Sequence, residues 1–171
     1  IVIQSHKGEY TARFIRGGID QLNINLIEAA VYIIDSNICK LYADRLDKVL
    51  SSHRVIKIYA SEENKSLNKM PEYVDELVSL NIKRSELLIA IGGGIIQDIT
   101  CFLATTLIRG LPWVFYPTTL LAQSDSCIGS KSSINSGDFK NILGTFLPPE
   151  QIVIDVDFLQ TLDQREIFSG L

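Results

Sequence analysis

Short apolar runs alternate along this chain with stretches in which apolar residues recur every third or fourth position. "YTARFIR" (10–16) alternates apolar and polar side chains and reads as an early strand. "AVYIID" (30–35), "RVIKIYA" (54–60), "ELLIAIG" (86–92), "PWVFYPT" (112–118) and "QIVID" (151–155) are continuous apolar runs, as in strands buried on both faces. Between the second and third runs, "NICKLYADRLDKVLSSH" (37–53) sets Ile38, Leu41, Leu46 and Leu50 roughly on one helical face. Between the third and fourth, Met70, Val74 and Leu77 repeat at helical spacing, with Pro71 in the first turn, where its missing N–H costs nothing. "IIQDITCFLATTLIR" (95–109) is apolar nearly all round, which predicts a buried helix closed by Gly110 and Pro112. Strand–helix alternation implies right-handed βαβ units and a Rossmann-like parallel sheet flanked by helices. No repeat and no low-complexity linker interrupts the pattern, so residues 1–171 read as one α/β domain.

Composition removes several function classes. Hydrophobic residues make up 46% and charged residues 21%, an ordinary globular balance. A net charge of -4 argues against a nucleic-acid partner held by bulk positive charge. No apolar run approaches the roughly 18 residues of a membrane span, and "IVIQSHKGEY" lacks the layout of a signal peptide. The chain opens without an initiator methionine, as a fragment or processed chain does. Cys39, Cys101 and Cys127 are odd in number and widely spaced, which fits a reducing, cytoplasmic setting. His6 and His53 have no cysteine or carboxylate at ligand spacing and read as surface histidines, so the chain offers no metal site of its own.

Chemistry enters with "LLIAIGGGIIQDIT" (87–100). Gly92, Gly93 and Gly94 let the chain turn tightly after a strand and bring bare backbone N–H groups against a ligand. As a dinucleotide fingerprint the match stops at G-x-G: Gln97 stands where the last glycine belongs, and the triplet follows a late strand. The helix dipole favours a carboxylate such as Asp98 near the helix start by about 0.3–1 kcal/mol, so a solvated N-terminal carboxylate is as open a reading as a ligand contact. Residues 92 to 149 hold only six charged side chains (Asp98, Arg109, Asp125, Lys131, Asp138 and Lys140) in 58, about half the chain's average density. The stretch is therefore expected to be largely interior or cleft-lining. Within it, "PTTLLAQSDSCIGSKSSINSGDFKN" reads either as a polar pocket lining with two lysines for anions or as a long surface loop.

The ordered motifs "GGGIIQD…RG…PTTLLAQSDSCIGSKSSIN…KN" resemble dehydroquinate synthase and its relatives, the sugar-phosphate cyclases. The likeness runs from about Asp35 to the chain end. In that family the glycine turn binds the pyrophosphate of NAD without the Rossmann fingerprint. The resemblance implies that Asp35, Ser36 and Asn37 contact the adenosine side, and "SEENKS" aligns Glu62 and Lys65 with nucleotide contacts. It assigns Gly93, Gly94, Ile95 and Asp98 to the pyrophosphate and ribose region. Thr118, Thr119, Lys140 and the segment Phe158 to Thr161 complete the cofactor shell. Asp125, Lys131 and Asn141 match substrate-binding positions, and Arg109 matches a residue that reaches a neighbouring subunit's substrate, which implies a homodimer. The family's second, helical domain carries a glutamate and two histidines for a divalent metal (zinc or cobalt), and this chain stops at its edge, at "REIFSGL".

That resemblance implies NAD-dependent cyclisation of 3-deoxy-arabino-heptulosonate 7-phosphate to 3-dehydroquinate and phosphate, with residues 1–171 inactive by themselves. Several positions depart from the family pattern: Ser61 for glycine, Gln97 for a small residue, Cys101 for glycine and "GSKSS" for "GGKTG". They leave NAD binding in place and open the substrate to a related sugar phosphate. Two further readings stand beside it: a glycerol or alcohol dehydrogenase of similar architecture, and a nucleotide-binding module without catalysis.

Overall fold

Which runs become central strands follows from how completely each can be buried. The computed structural model describes residues 1–170, the side chains of Ile24 and Arg165 excepted. In chain order, β1 (Val2–Ser5) and β2 (Gly8–Ile15) form a hairpin, and α1 (Gly18–Ile24) leads to β3 (Val31–Asp35). Then α2 (Ser36–Leu41), a 3₁₀ turn and α3 (Asp47–Ser51) lead to β4 (Val55–Ile58). Next, α4 (Met70–Ser79) precedes β5 (Leu88–Gly92), and α5 (Gly94–Thr106) precedes β6 (Trp113–Pro117). A π-helical turn (Ala122–Ser126), β7 (Lys131–Ser136), β8 (Phe139–Phe146), β9 (Gln151–Asp155), a 3₁₀ turn (Val156–Thr161) and α6 (Gln164–Ser169) complete the chain.

Seven strands form one sheet in the order β1-β2-β9-β6-β5-β3-β4, parallel throughout except for the β1–β2 pair. All six runs read as strands in the sequence lie in it. Every residue of β3 and β5 is buried, as central strands covered on both faces require. Alternate side chains serve opposite layers. Val31, Ile33, Leu88 and Ala90 pack beneath α4 and α5, while Tyr32, Ile34, Ile89 and Ile91 pack beneath α1, α2 and α3. Ile96, Ile99 and Leu103 fix α5 to the sheet, each contributing about 1.5–3 kcal/mol by its burial.

Two helices differ from their sequence pattern. The 37–53 stretch breaks after Leu41, because Tyr42 turns inward, stacks edge-on against Phe158 at 5.5 Å and hydrogen-bonds Thr161 at 2.9 Å. The helix expected over 95–109 stops at Thr106. Ile108 and Arg109 take left-handed backbone (φ 51° and 65°), so that Leu111 can return its N–H to Ala104 at 2.7 Å and enter β6.

The larger difference lies in the charge-poor segment. Residues 131–146 form an antiparallel hairpin, β7–β8, packed by β7 on α5. Its two-residue turn has Gly137 at the first central position with φ 57°, where a type II′ turn calls for glycine. Nearly all of β8 is exposed, including Phe139, Ile142 and Phe146, so this part of the 92–149 stretch is not interior.

Candidate active site

The order of strand addition reverses between β3 and β5. From β3 the chain moves outward to β4, then returns across β3 to β5, and the following helices lie on opposite faces. The carboxyl ends of these two strands therefore open a crevice, the usual ligand site of a doubly wound sheet. Asp35 ends β3 and caps α2 by accepting the Asn37 N–H at 2.9 Å. Burial raises its pKa above the usual aspartate value, and the N–H groups of Asn37 and Ala60 partly offset that. Ser36 opens α2 beside it. Asn37 and Thr161 meet, with Lys40, Asp163 and Glu166, around a cleft of about 290 Å³. Phe158, one turn earlier, has its ring in the core, so only its main chain is left to offer a ligand.

At the end of β5, the turn leaves no room for a side chain at Gly92 or Gly93. A Cβ on Gly93 would lie 2.9 Å from Cγ2 of Thr119, and Thr118, itself buried, donates its N–H to the Gly92 carbonyl at 2.9 Å. Gly94 and Ile95 then open α5, with first-turn N–H groups that have no helical partner. A bare turn at a helix start fits an anionic group such as a dinucleotide pyrophosphate.

Asp98 is not a solvated helix-end carboxylate. Its Oδ1 accepts the Ser133 N–H at 3.0 Å and its Oδ2 accepts Lys65 Nζ at 3.0 Å. Burial raises its pKa, and the Ser133 N–H and the Lys65 ammonium pull it back. Lys65, only 7% exposed at its side chain, also donates to Asn141 Oδ1 at 2.9 Å and stands 3.8 Å from Glu62. Glu62, Lys65, Asp98 and Asn141 thus form one cluster drawn from a loop, a helix and the hairpin.

Beside this cluster lie two adjoining clefts. One, of about 500 Å³, is lined among others by Gly94, Gln97, Asp98, Asp125, Lys131 and Phe146. The other, of about 400 Å³, shares Asp98, Lys131 and Phe146 and adds Ser133 and Asn141. An ammonium among bare amides, a carboxamide and two carboxylates can bind an anion together with hydroxyl groups. Lys140 sits exposed on β8 and lines neither cleft. Arg109 stands at the opposite end of α5, about 20 Å from the glycine turn for a 13-residue helix. It lines a separate cleft of about 410 Å³ with Arg84, Trp113 and Glu150.

Two glutamines to which the sequence assigned no site role hold this site together. Gln97 donates Nε2 to the Ser126 carbonyl at 2.7 Å and accepts the Ser126 hydroxyl at 3.1 Å, clamping the turn that carries Asp125 onto α5. A bridging side chain, not a glycine, is what this position needs. Gln123 ties the same turn to the ends of β6 and β9 through the carbonyls of Pro117 (3.0 Å) and Asp155 (2.8 Å). The available signal was a polar side chain in an otherwise apolar helix, costly to bury unless it is bonded. Cys127 is a core thiol: burial pushes its pKa up to about 11, so it stays protonated near neutral pH. All three cysteines are free and buried. Among the described residues, no three His, Cys, Asp or Glu side chains cluster so as to hold a metal ion, and no helix is long and apolar enough to cross a membrane.

Known proteins resemble this chain in sequence and fold. The 3-dehydroquinate synthase of Acetivibrio thermocellus is 43% identical over 145 residues, which are 82% of this chain and 40% of that protein. The chain spans about two fifths of the length of the curated relatives it matches. A 2-epi-5-epi-valiolone synthase from Streptomyces hygroscopicus, solved with NAD⁺ and Zn²⁺ bound, is 32% identical with a TM-score of 0.82. That comparison covers 94% of this chain and 47% of the other. A 2-deoxy-scyllo-inosose synthase complexed with carbaglucose-6-phosphate, NAD⁺ and Co²⁺ shares the fold, with a TM-score of 0.84 at 22% identity over 99% of this chain and 48% of that one. Residues 55–169 match the family described as 3-dehydroquinate synthase N-terminal, and the chain belongs to that family.

Proposed function

We propose that this chain is the nucleotide-binding half of a 3-dehydroquinate synthase, which converts 3-deoxy-arabino-heptulosonate 7-phosphate to 3-dehydroquinate and phosphate in the cytoplasm. The observation that carries the reading is the juxtaposition of the bare glycine turn with Asp98, Asp125, Lys131 and Asn141 around two joined clefts. The Gly92–Gly94 turn, Thr118 and Thr119 would hold the pyrophosphate of NAD. Asp35, Ser36, Asn37 and Thr161 would hold its adenosine end, with Glu62 and Lys65 completing the shell. Bound there, NAD supplies transient hydride acceptance and return, so that the net reaction is a phosphate elimination and ring closure.

The chain's own residues bind and orient. Lys131 holds an anionic group of the sugar phosphate, and Asp125 accepts its hydroxyls. Asn141, its carbonyl committed to Lys65 and Ser133, has its NH₂ left to donate. Keeping one substrate oriented through several steps supplies much of the rate. Arg109, remote from these groups in its own subunit, serves the site of a second copy in a homodimer. By its resemblance to the family, the complete polypeptide would hold its divalent ion in a helical domain. Residues 1–171 alone are therefore expected to bind NAD without turnover.

Two measurements test this. Calorimetric titration of the chain with NAD should show binding; no heat at millimolar NAD from demonstrably folded protein would overturn the cofactor assignment. The complete polypeptide should release phosphate from the seven-carbon substrate with NAD unchanged at the end. A net redox product would instead favour a dehydrogenase.

A further inference from the structure

Asn135 is buried on β7, and its carboxamide joins two segments that carry the charged cluster. Its Nδ2 donates to the Glu62 carbonyl at 3.0 Å and to Glu62 Oε2 at 2.8 Å. Its Oδ1 accepts the Asn141 N–H at 2.8 Å, and its own N–H donates to the Lys65 carbonyl at 2.8 Å. The amide can point only one way: both Glu62 atoms are acceptors, and the Asn141 N–H is a donor. Asn141 has left-handed backbone (φ 55°), and the β7–β8 register shifts between Ile134 and Ser136. Such a bulge takes an N–H out of the strand ladder and re-aims a side chain. Here Asn135 captures the freed N–H, and the re-aimed Asn141 carbonyl meets Lys65 and Ser133.

We propose that Asn135 is a positioning residue: it locks the Asn141 bulge to the Glu62–Lys65 segment, and so aims Asn141 at the ligand cleft it lines and keeps Lys65 on Asp98 and Asn141. The catalytic consequence rests on the function proposed above; the geometry does not. Amide hydrogen exchange followed by NMR tests the geometry on this chain directly. Asn141 is surface-exposed, yet its N–H should exchange slowly in the wild type. Asn135→Ala should speed it at least tenfold while amides of β3 and β5 keep their protection. Asn135→Asp keeps the acceptor for Asn141 but sets an oxygen against Glu62, so it should retain the slow Asn141 exchange. It also serves as the informative variant if the alanine does not fold. Fast Asn141 exchange in the wild type or in Asn135→Asp would overturn the proposal.

The consequence is read in a double-mutant cycle on the complete enzyme. Asn135→Ala should lower kcat/KM at least tenfold, but less than twofold once Asn141 is alanine, with similar drops in Tm in both backgrounds. Equal losses in both backgrounds, or none, would show that Asn135 only stabilises the fold. A wild-type enzyme without turnover would sink the functional reading, leaving the exchange result to judge Asn135 by itself.

Discussion

Replacing Lys65 with methionine isolates the energetics of the charged cluster. Methionine keeps most of the aliphatic stem, so the perturbation is chiefly the loss of the ammonium. The side chains of Lys65 and Asp98 are 7% and 19% exposed and meet at 3.0 Å. Breaking a buried pair from one side costs about 3–5 kcal/mol, because the remaining charge stays desolvated. Asp98 retains the Ser133 N–H and some solvent, which places the expected loss at the lower end, about 3 kcal/mol near neutral pH. The pH dependence follows from the direction of the Asp98 shift. Its folded pKa lies above the ordinary 3.8, so between those two values the folded state holds the extra proton and stability falls as pH rises. Removing the ammonium raises that pKa further and widens the interval. The penalty of Lys65→Met should therefore be full at about pH 7 and shrink as pH falls through the raised Asp98 pKa. Urea unfolding of the wild type and variant at stepped pH measures it, and adding Asp98→Asn should recover part of the loss by removing the stranded charge. A loss below about 1 kcal/mol, no change with pH, or no recovery in the double variant would refute the buried-pair reasoning.

Lys131→Ala should lower kcat/KM of the complete enzyme by about 10- to 100-fold, the scale of a lost charged hydrogen bond, while urea unfolding changes little because Lys131 is exposed. Gly93→Ala puts a methyl 2.9 Å from Thr119 Cγ2 at the mouth of the turn; calorimetry should show NAD affinity falling tenfold or more in a folded protein. Gly144→Ala meets the Ser132 main-chain oxygen at 2.6 Å, so the hairpin must splay, and unfolding should register a loss of about 1–3 kcal/mol.

The apolar pattern alone was enough to determine the central sheet. Runs such as Val31–Asp35 and Leu88–Gly92 have no solvent-tolerant face, and a parallel strand between two helical layers satisfies that demand. Helix α4 was legible for the complementary reason, its Met70, Val74 and Leu77 forming a single stripe. The glycine triplet marked a place of close backbone approach, and the motif resemblance attached residue numbers to it. The hairpin was invisible because Ser132, Ser133 and Asn135 have weak strand preference; Ser132 meets Thr145 at 2.6 Å only once β7 and β8 pair. Likewise the sequence marked Asp98 as a carboxylate near a helix start, but its partners Lys65 and Ser133 lie 33 and 35 residues away. Burial is non-directional and local in pattern, so periodicity reports it. A hydrogen bond is directional and depends on which distant elements meet, so only the tertiary structure could decide that Asp98 is paired, that Gln97 clamps Ser126, and that Asn135 holds Asn141.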